Sequence, residues 1–135
     1  MSFSSPKKIL VVDDDPVVKK TVQIVLRDHG YEVLLADDGP EAVSIARSQQ
    51  PDLILLDLSY PPDPMSGPLS DGFEIVEWLR RMPESHTIPV VIISGTDPEK
   101  YRDRFFEGEI AAYLQKPLDK KTVLAAIQSA LGARS

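Results

Sequence analysis

A chain of 135 residues, 42% hydrophobic and 27% charged, has the size and composition of one globular domain with a single core. Its formal charge of -6 excludes the basic face that broad nucleic-acid binding requires, and no apolar run approaches membrane-spanning length. The absence of cysteine excludes disulfides, thiolate nucleophiles and zinc–thiolate sites.

The N-terminal MSFSSPKK lacks the apolar stretch of a secretory leader. With the missing cysteines, this fits a cytoplasmic protein. Residues 8–12, KILVV, are a β-branched run that predicts a strand buried on both faces. Residues 16–29 carry Val17, Val18, Thr21, Val22, Val25 and Leu26 at helical spacing, and Gly30 closes that helix. A second strand is expected over 31–36, a second helix over 40–48 and a third strand over 52–57. Residues 72–81 form a third helix with Phe73, Ile75, Val76, Trp78 and Leu79 on its buried side. A fourth strand spans 89–94. A fourth helix is expected over 98–107, with Tyr101, Phe105 and Phe106 towards the core. A fifth strand over 111–115 and a helix over 119–131 complete the chain.

Three helix starts share one signature: DP at 15–16, GP at 39–40 and DP at 97–98. An Asp or Gly cap before a proline in the first turn is a strong start signal. Asp15 therefore serves as an N-cap. Five βα units with short connections predict an α/β fold, a doubly wound parallel sheet in the order 2-1-3-4-5, within one domain over 1–135 whose core spans about 7–131. In such a sheet the site forms beyond the carboxyl ends of the strands, between the first and third. Residues 58–71, LSYPPDPMSGPLSD, break the rhythm and read as a long proline-stiffened loop. His29 and His86 are far apart and lack metal-ligand spacing, so both are expected at the surface.

The polar residues fall at the predicted rim. Asp13 and Asp14 end the first strand, Asp57 the third, Ser94 the fourth and Lys116 the fifth. Two carboxylates about 4 Å apart repel by ~4 kcal/mol at an effective dielectric of about 20. Three of them need a cation, a proton or a lysine. All-oxygen ligands suit Mg²⁺, which tolerates few protein contacts and favours phosphate oxygens. Beside such an ion a carboxylate can be a nucleophile towards phosphorus, with a lysine and a hydroxyl holding the phosphoryl oxygens. No glycine-rich phosphate loop follows the first strand, which argues against nucleotide or flavin binding.

The motifs ILVVDDDP, PDLILLDL, PVVIISG and AAYLQKP stand in this order over nearly the whole chain. In that set the chain resembles the receiver domain of the two-component response regulators, flavodoxin-like (βα)5 proteins. The resemblance implies that Asp57 is the phosphoacceptor and that Lys116 and Ser94 contact the phosphoryl group. It makes Ser94 and Tyr113 the switch residues. It implies Mg²⁺ held by Asp14, Asp57 and the backbone carbonyl of Ser59, with Asp13 acting through water, and a cis bond before Pro117. The implied partners are a histidine kinase or phosphotransfer protein and a downstream protein target, without direct nucleic-acid or membrane contact. A homodimer through the face of the fourth helix, fifth strand and fifth helix is a further expectation. As no DNA-binding domain follows Ser135, a stand-alone receiver or one excised from a longer chain is expected. Such a protein is no conventional enzyme, although it catalyses its own phosphorylation and dephosphorylation.

The chain departs from the family pattern in the long 58–71 segment, Tyr60 for methionine, Gly95 for alanine and Glu109 for glycine. Two competing functions stay open. A phosphatase of the haloacid dehalogenase type would need an aspartate two residues after Asp57, where Ser59 stands. A pure interaction module would never be phosphorylated.

Overall fold

The computed structural model describes residues 6–58, 72–106 and 108–134. Five parallel strands form one sheet: β1 (Lys8–Val12), β2 (Glu32–Ala36), β3 (Leu53–Asp57), β4 (Val90–Ser94) and β5 (Ala112–Gln115). Their order is β2-β1-β3-β4-β5, as the βα alternation predicts. The helices are α1 (Pro16–Asp28), α2 (Gly39–Gln49), α3 (Gly72–Arg81) and α4 (Lys120–Arg134). The register places Val12 beside Leu56 and Asp57 beside Ile93.

Side chains alternate along each strand, so the central strands feed two cores. Leu10, Val12, Ile54, Leu56, Val90 and Ile92 pack on one face against α2, α3 and the segment after β4. Ile9, Val11, Leu53, Leu55, Val91 and Ile93 pack on the other face against α1 and α4. Each fully buried aliphatic side chain contributes about 1.5–3 kcal/mol relative to exposure. This double burial makes the strand ends a rigid platform.

The caps obey the local chemistry. Val17 N–H donates to the Asp15 carboxylate at 2.9 Å, which starts α1. The cap of α2 is Asp38 rather than Gly39: its carboxylate accepts from Glu41 N–H at 2.9 Å. Gly30 follows α1 with φ +86, a conformation glycine adopts without penalty. Gly108 takes the left-handed position in the turn before β5, which frees Glu109 to accept from Phe106 N–H at 3.1 Å. His29 and His86 are exposed.

Three expectations are corrected. The segment expected as a fourth helix forms two 3-10 turns, Pro98–Lys100 and Arg102–Arg104. The break falls at Tyr101, whose φ -138 and ψ -9 leave the helical range. Its ring drops into the core with that of Phe105, while Phe106 is 84% exposed. Trp78 is also not buried, at 47% exposure. The inward stripe of α3 is Phe73, Ile75, Val76 and Leu79, and Trp78 lies beyond its edge.

The first residue of α3 is under steric pressure. A Cβ on Gly72 would overlap the side chain of Leu58, which is itself 2% exposed. Helix propensity favours alanine over glycine by about 1 kcal/mol, but overpacking costs about 1–3 kcal/mol. Gly72→Ala is therefore expected to lower stability in urea denaturation. A gain would show that Leu58 yields freely.

Candidate functional site

The site is the carboxyl rim of β1, β3, β4 and β5. Asp13 continues β1, and its N–H donates to Ala36 O at 3.1 Å, extending the ladder with β2. Asp57 is the last residue of β3. Since Val12 stands beside Leu56 in register, the next residues of the two strands meet at the rim. One carboxylate oxygen from each of Asp13, Asp14 and Asp57 lies within 4.8 Å of the other two. Asp13 is buried, Asp57 half-buried and Asp14 exposed. Asp15, the third aspartate of the run, points away to cap α1.

Lys116 follows β5, and its Nζ lies 2.9 Å from Asp57 Oδ1. Its backbone is fixed by donation from Lys116 N–H to Ser94 O at 2.7 Å, and the bond to Pro117 is cis, as expected. Ser94 ends β4 one residue past the neighbour of Asp57. Its buried hydroxyl accepts from Thr96 N–H at 2.9 Å. Tyr113 is half-buried in β5, and its ring centroid lies 6.1 Å from that of Tyr101 and 6.2 Å from that of Phe105. The structure thus gathers Asp13, Asp14, Asp57 and Lys116 in one cluster. It puts the Ser94 hydroxyl in a turn and Tyr113 among aromatic rings. Ser59 and the rest of the 59–71 stretch lie outside the described residues.

The electrostatics follow from this crowding. Burial pushes the Asp13 carboxyl up from its ordinary range, and the charges of Asp57 and Asp14 add to that. The backbone N–H of Asp15, donating to Asp13 at 2.9 Å, and the charge of Lys116 offset only part. For Lys116, burial alone would depress the ammonium. The hydrogen bond and charge of Asp57, with Asp13 and Asp15 beyond, reverse the sign and hold it above its ordinary range. The donor set fits a hard divalent cation: oxygens across such an ion lie about 4–5 Å apart.

Residues 9–128 match the family model described as the response regulator receiver domain. The chain belongs to the response regulator receiver domain family. The receiver is 33% identical to the PilH protein of Pseudomonas aeruginosa over 126 residues, 92% of this chain and 97% of PilH. It superposes on the chemotaxis protein CheY4 of Vibrio cholerae with a TM-score of 0.78 at 30% identity, covering 93% of this chain and 99% of that one. The receiver domain of a Pseudomonas aeruginosa sensor histidine kinase is similar at 26% identity and a TM-score of 0.79, with coverage of 95% and 99%. That protein has a magnesium ion coordinated in its active-site cleft.

Two features of this receiver escape sequence reasoning. The periodicity of α1 puts Val17 on the core face, yet Val17 is 71% exposed. It borders a cavity of about 350 Å³ between α1 and the start of α4, which Lys116, Pro117 and Leu118 also line. The signal was its place in the first turn, ahead of the packed part of the helix. Tyr101 reads from its spacing as part of a helix, but it lies outside helical dihedrals and its ring meets that of Tyr113 edge-on at 6.1 Å.

Asp13 generates a test with a definite sign. A carboxyl whose folded pKa is raised favours the folded state when protonated, and that contribution is lost as pH rises through the folded pKa. Above its folded pKa and without metal, ionised Asp13 opposes folding. Asp13→Asn keeps an oxygen for Asp15 N–H and removes the charge. It is expected to raise metal-free stability by roughly 0.5–2 kcal/mol, the range typical of charge optimisation. The gap should close as pH falls and Asp13 takes up its proton. Thermal melts across pH check this, and an unchanged or lower midpoint at neutral pH contradicts it.

Proposed function

We propose that this receiver takes a phosphoryl group from a phosphohistidine of a histidine kinase or phosphotransfer protein onto Asp57. The function rests on the lysine ammonium held 2.9 Å from the Asp57 carboxylate beside two further acids. In the transfer, an Asp57 oxygen bonds to phosphorus as the bond to the donor imidazole nitrogen breaks. The imidazole leaves with the electron pair. Lys116 exchanges its contact with the carboxylate for the phosphoryl oxygens, where its positive charge meets the developing negative charge. Ser94 then donates its hydroxyl to a phosphoryl oxygen, and Tyr113 reports the change at the surface.

Asp14 and Asp57, with the Ser59 carbonyl and Asp13 through water, would hold Mg²⁺. The ion would neutralise the phosphoryl oxygens and so lower the repulsion of the incoming group by the acids. The magnesium in the similar Pseudomonas kinase receiver supports this assignment.

The cavity beside Lys116 supports a place for the donor. Val17, Val18, Val22, Val25 and Leu118 give it an apolar lining next to the reactive rim. An amphipathic helix carrying the phosphohistidine would bury its apolar face there. The downstream target, or a second copy of the chain, would use the opposite face, where Phe106 is exposed and Arg102 lies over the Tyr113 ring. No helix among the described residues is long and apolar enough to cross a membrane, and the function implies a cytoplasmic location.

Incubation with Mg²⁺ and acetyl phosphate, followed by intact mass, tests the chemistry. Wild type is expected to gain one phosphoryl group and Asp57→Asn none. Lys116→Met should slow labelling by about 10²-fold or more, the usual cost of removing a charge-stabilising donor. No adduct on wild type would leave an interaction module; steady hydrolysis of phosphate esters would indicate a phosphatase. The docking face is tested separately with Val17→Glu. Transfer from a phosphorylated donor protein should fall by about tenfold or more, a loss of ~1.4 kcal/mol. Labelling by acetyl phosphate should not change. Equal loss with both donors would refute a docking role for Val17.

A further inference from the structure

The end of the sheet away from the acidic rim carries a surface that the phosphoryl chemistry does not use. α2 and α3 run back against the strands, so Arg47 in the last turn of α2 and Arg81 at the end of α3 lie towards the amino ends of the strands. A hollow of about 430 Å³ opens there, lined by Arg47, Trp78, Arg81, Met82, Pro83 and Glu84. Trp78 stands at it with 47% of its surface exposed. A large side chain beside a hollow on one face is complementary to itself under a two-fold rotation: each indole can cover the hollow of the other copy.

The charges around the hollow have the same property. Arg47 Nε lies 3.9 Å from Glu84 Oε1, and Arg81 Nη2 lies 3.7 Å from Glu77 Oε2. Both pairs are long, and three of the four side chains are more than half exposed. Such pairs are weak, so each charge can exchange its partner at little cost. The two arginines and two glutamates sum to zero. The chain as a whole carries a formal charge of -6, with Asp13, Asp14 and Asp57 crowded at the opposite rim. Net charge of that size opposes self-association, and a neutral patch of mixed sign is where two copies approach with least repulsion. Tryptophan, methionine and arginine are also the residues enriched at protein interfaces.

We propose that this face docks a second copy of the chain as a two-fold dimer: Trp78 of each copy enters the hollow of the other, and Arg47 of each pairs with Glu84 of the other. The dimer does not depend on the chemistry of Asp57. It leaves both acidic rims, both cavities beside Lys116 and both Phe106 faces open. Seven residues a side, Glu77 with the six of the hollow, are far fewer than the roughly 20–30 of a standard interface. The association is therefore weak, with a dissociation constant of about 10–100 μM.

Sedimentation equilibrium of the full chain, from well below to well above that concentration, tests the dimer. Trp78 is the only tryptophan, so its emission reports on the same contact. Wild type is expected to pass from monomer to dimer while the emission moves to shorter wavelength. Trp78→Ser should weaken the dimer by about tenfold or more, as loss of a central tryptophan does. Arg47→Glu and Glu84→Arg each set like charges against each other across the axis, so each alone should dimerise less than wild type. Mixed in equal amounts, the two should dimerise again, because both cross-pairs then have opposite signs. A defect within one chain would not be repaired by mixing, and the mixture decides the matter if Trp78→Ser fails to fold. A wild type that stays monomeric throughout overturns the proposal. So does a mixture no more dimeric than its components, or a dimer that forms with no change in emission. A dimer kept in Trp78→Ser but lost in Phe106→Ser places the contact on the opposite face and overturns it as well.

Discussion

Repulsion among Asp13, Asp14 and Asp57 is the constraint around which the molecule is organised. Left to themselves the three carboxylates would separate. They stay together because each is the end of something that cannot move. Asp13 extends a strand whose preceding four residues are no more than 4% exposed, and Asp57 closes a strand whose other residues are no more than 1% exposed. Moving either acid would disturb several buried aliphatic side chains, each contributing about 1.5–3 kcal/mol. The core therefore prevails over the charges, and the site carries electrostatic strain that one lysine relieves only in part. A group arriving with its own cation or its own bonding demands finds a site already arranged for it.

The alternation of side chains divides the sheet into two working sides. The α1 and α4 side holds Ile93 and Leu114 in its core, and at its rim opens the cavity that Lys116 lines. The α2 and α3 side holds Ile92 and Tyr101, with Tyr113 packed against them. Ser94 belongs to both. Its carbonyl accepts from Lys116 N–H at 2.7 Å, while its hydroxyl accepts from Thr96 N–H at 2.9 Å.

Much of this was legible before any coordinates. Short β-branched runs, proline-marked helix starts and acids at strand ends are local signals, and each strand and the rim followed from them. The cap at Asp15 was readable because Pro16 follows it. What failed depended on competition between distant groups. Residues 98–107 have the aromatic spacing of a helix, but that spacing records only that Tyr101 and Phe105 go inward. It does not record that packing against Phe73 and Tyr113 leaves Tyr101 outside helical dihedrals. Trp78 and Val17 failed for a related reason. An apolar residue at the margin of a helix face reads as core, and only the neighbouring elements decide whether anything covers it. The roles expected of Ser94 and Tyr113 came from family resemblance; nothing in the spacing distinguishes a hydroxyl that bonds a turn from one that bonds a ligand.

Among the described residues between β4 and β5, two single 3-10 turns stand where a regular helix was expected, and this has an energetic consequence. A regular helix there would hold its residues by a cooperative ladder, and a change at Ser94 would have to compete with the whole of it. Two single turns present a smaller barrier. Each is closed by few bonds, and a net hydrogen bond contributes only about 0.5–1.5 kcal/mol. Moving a two-state segment from a minor to a major population takes a differential of a few kcal/mol. Rupture of two or three turn bonds is of that order. Arg104, 3.6 Å above the Phe73 ring, and Arg102 over Tyr113 then restrain the segment from outside. Arginine–aromatic contacts of this kind contribute about 0.5–2 kcal/mol each. The segment is thus held by a few turn bonds along its backbone and by two arginine contacts on its outer side.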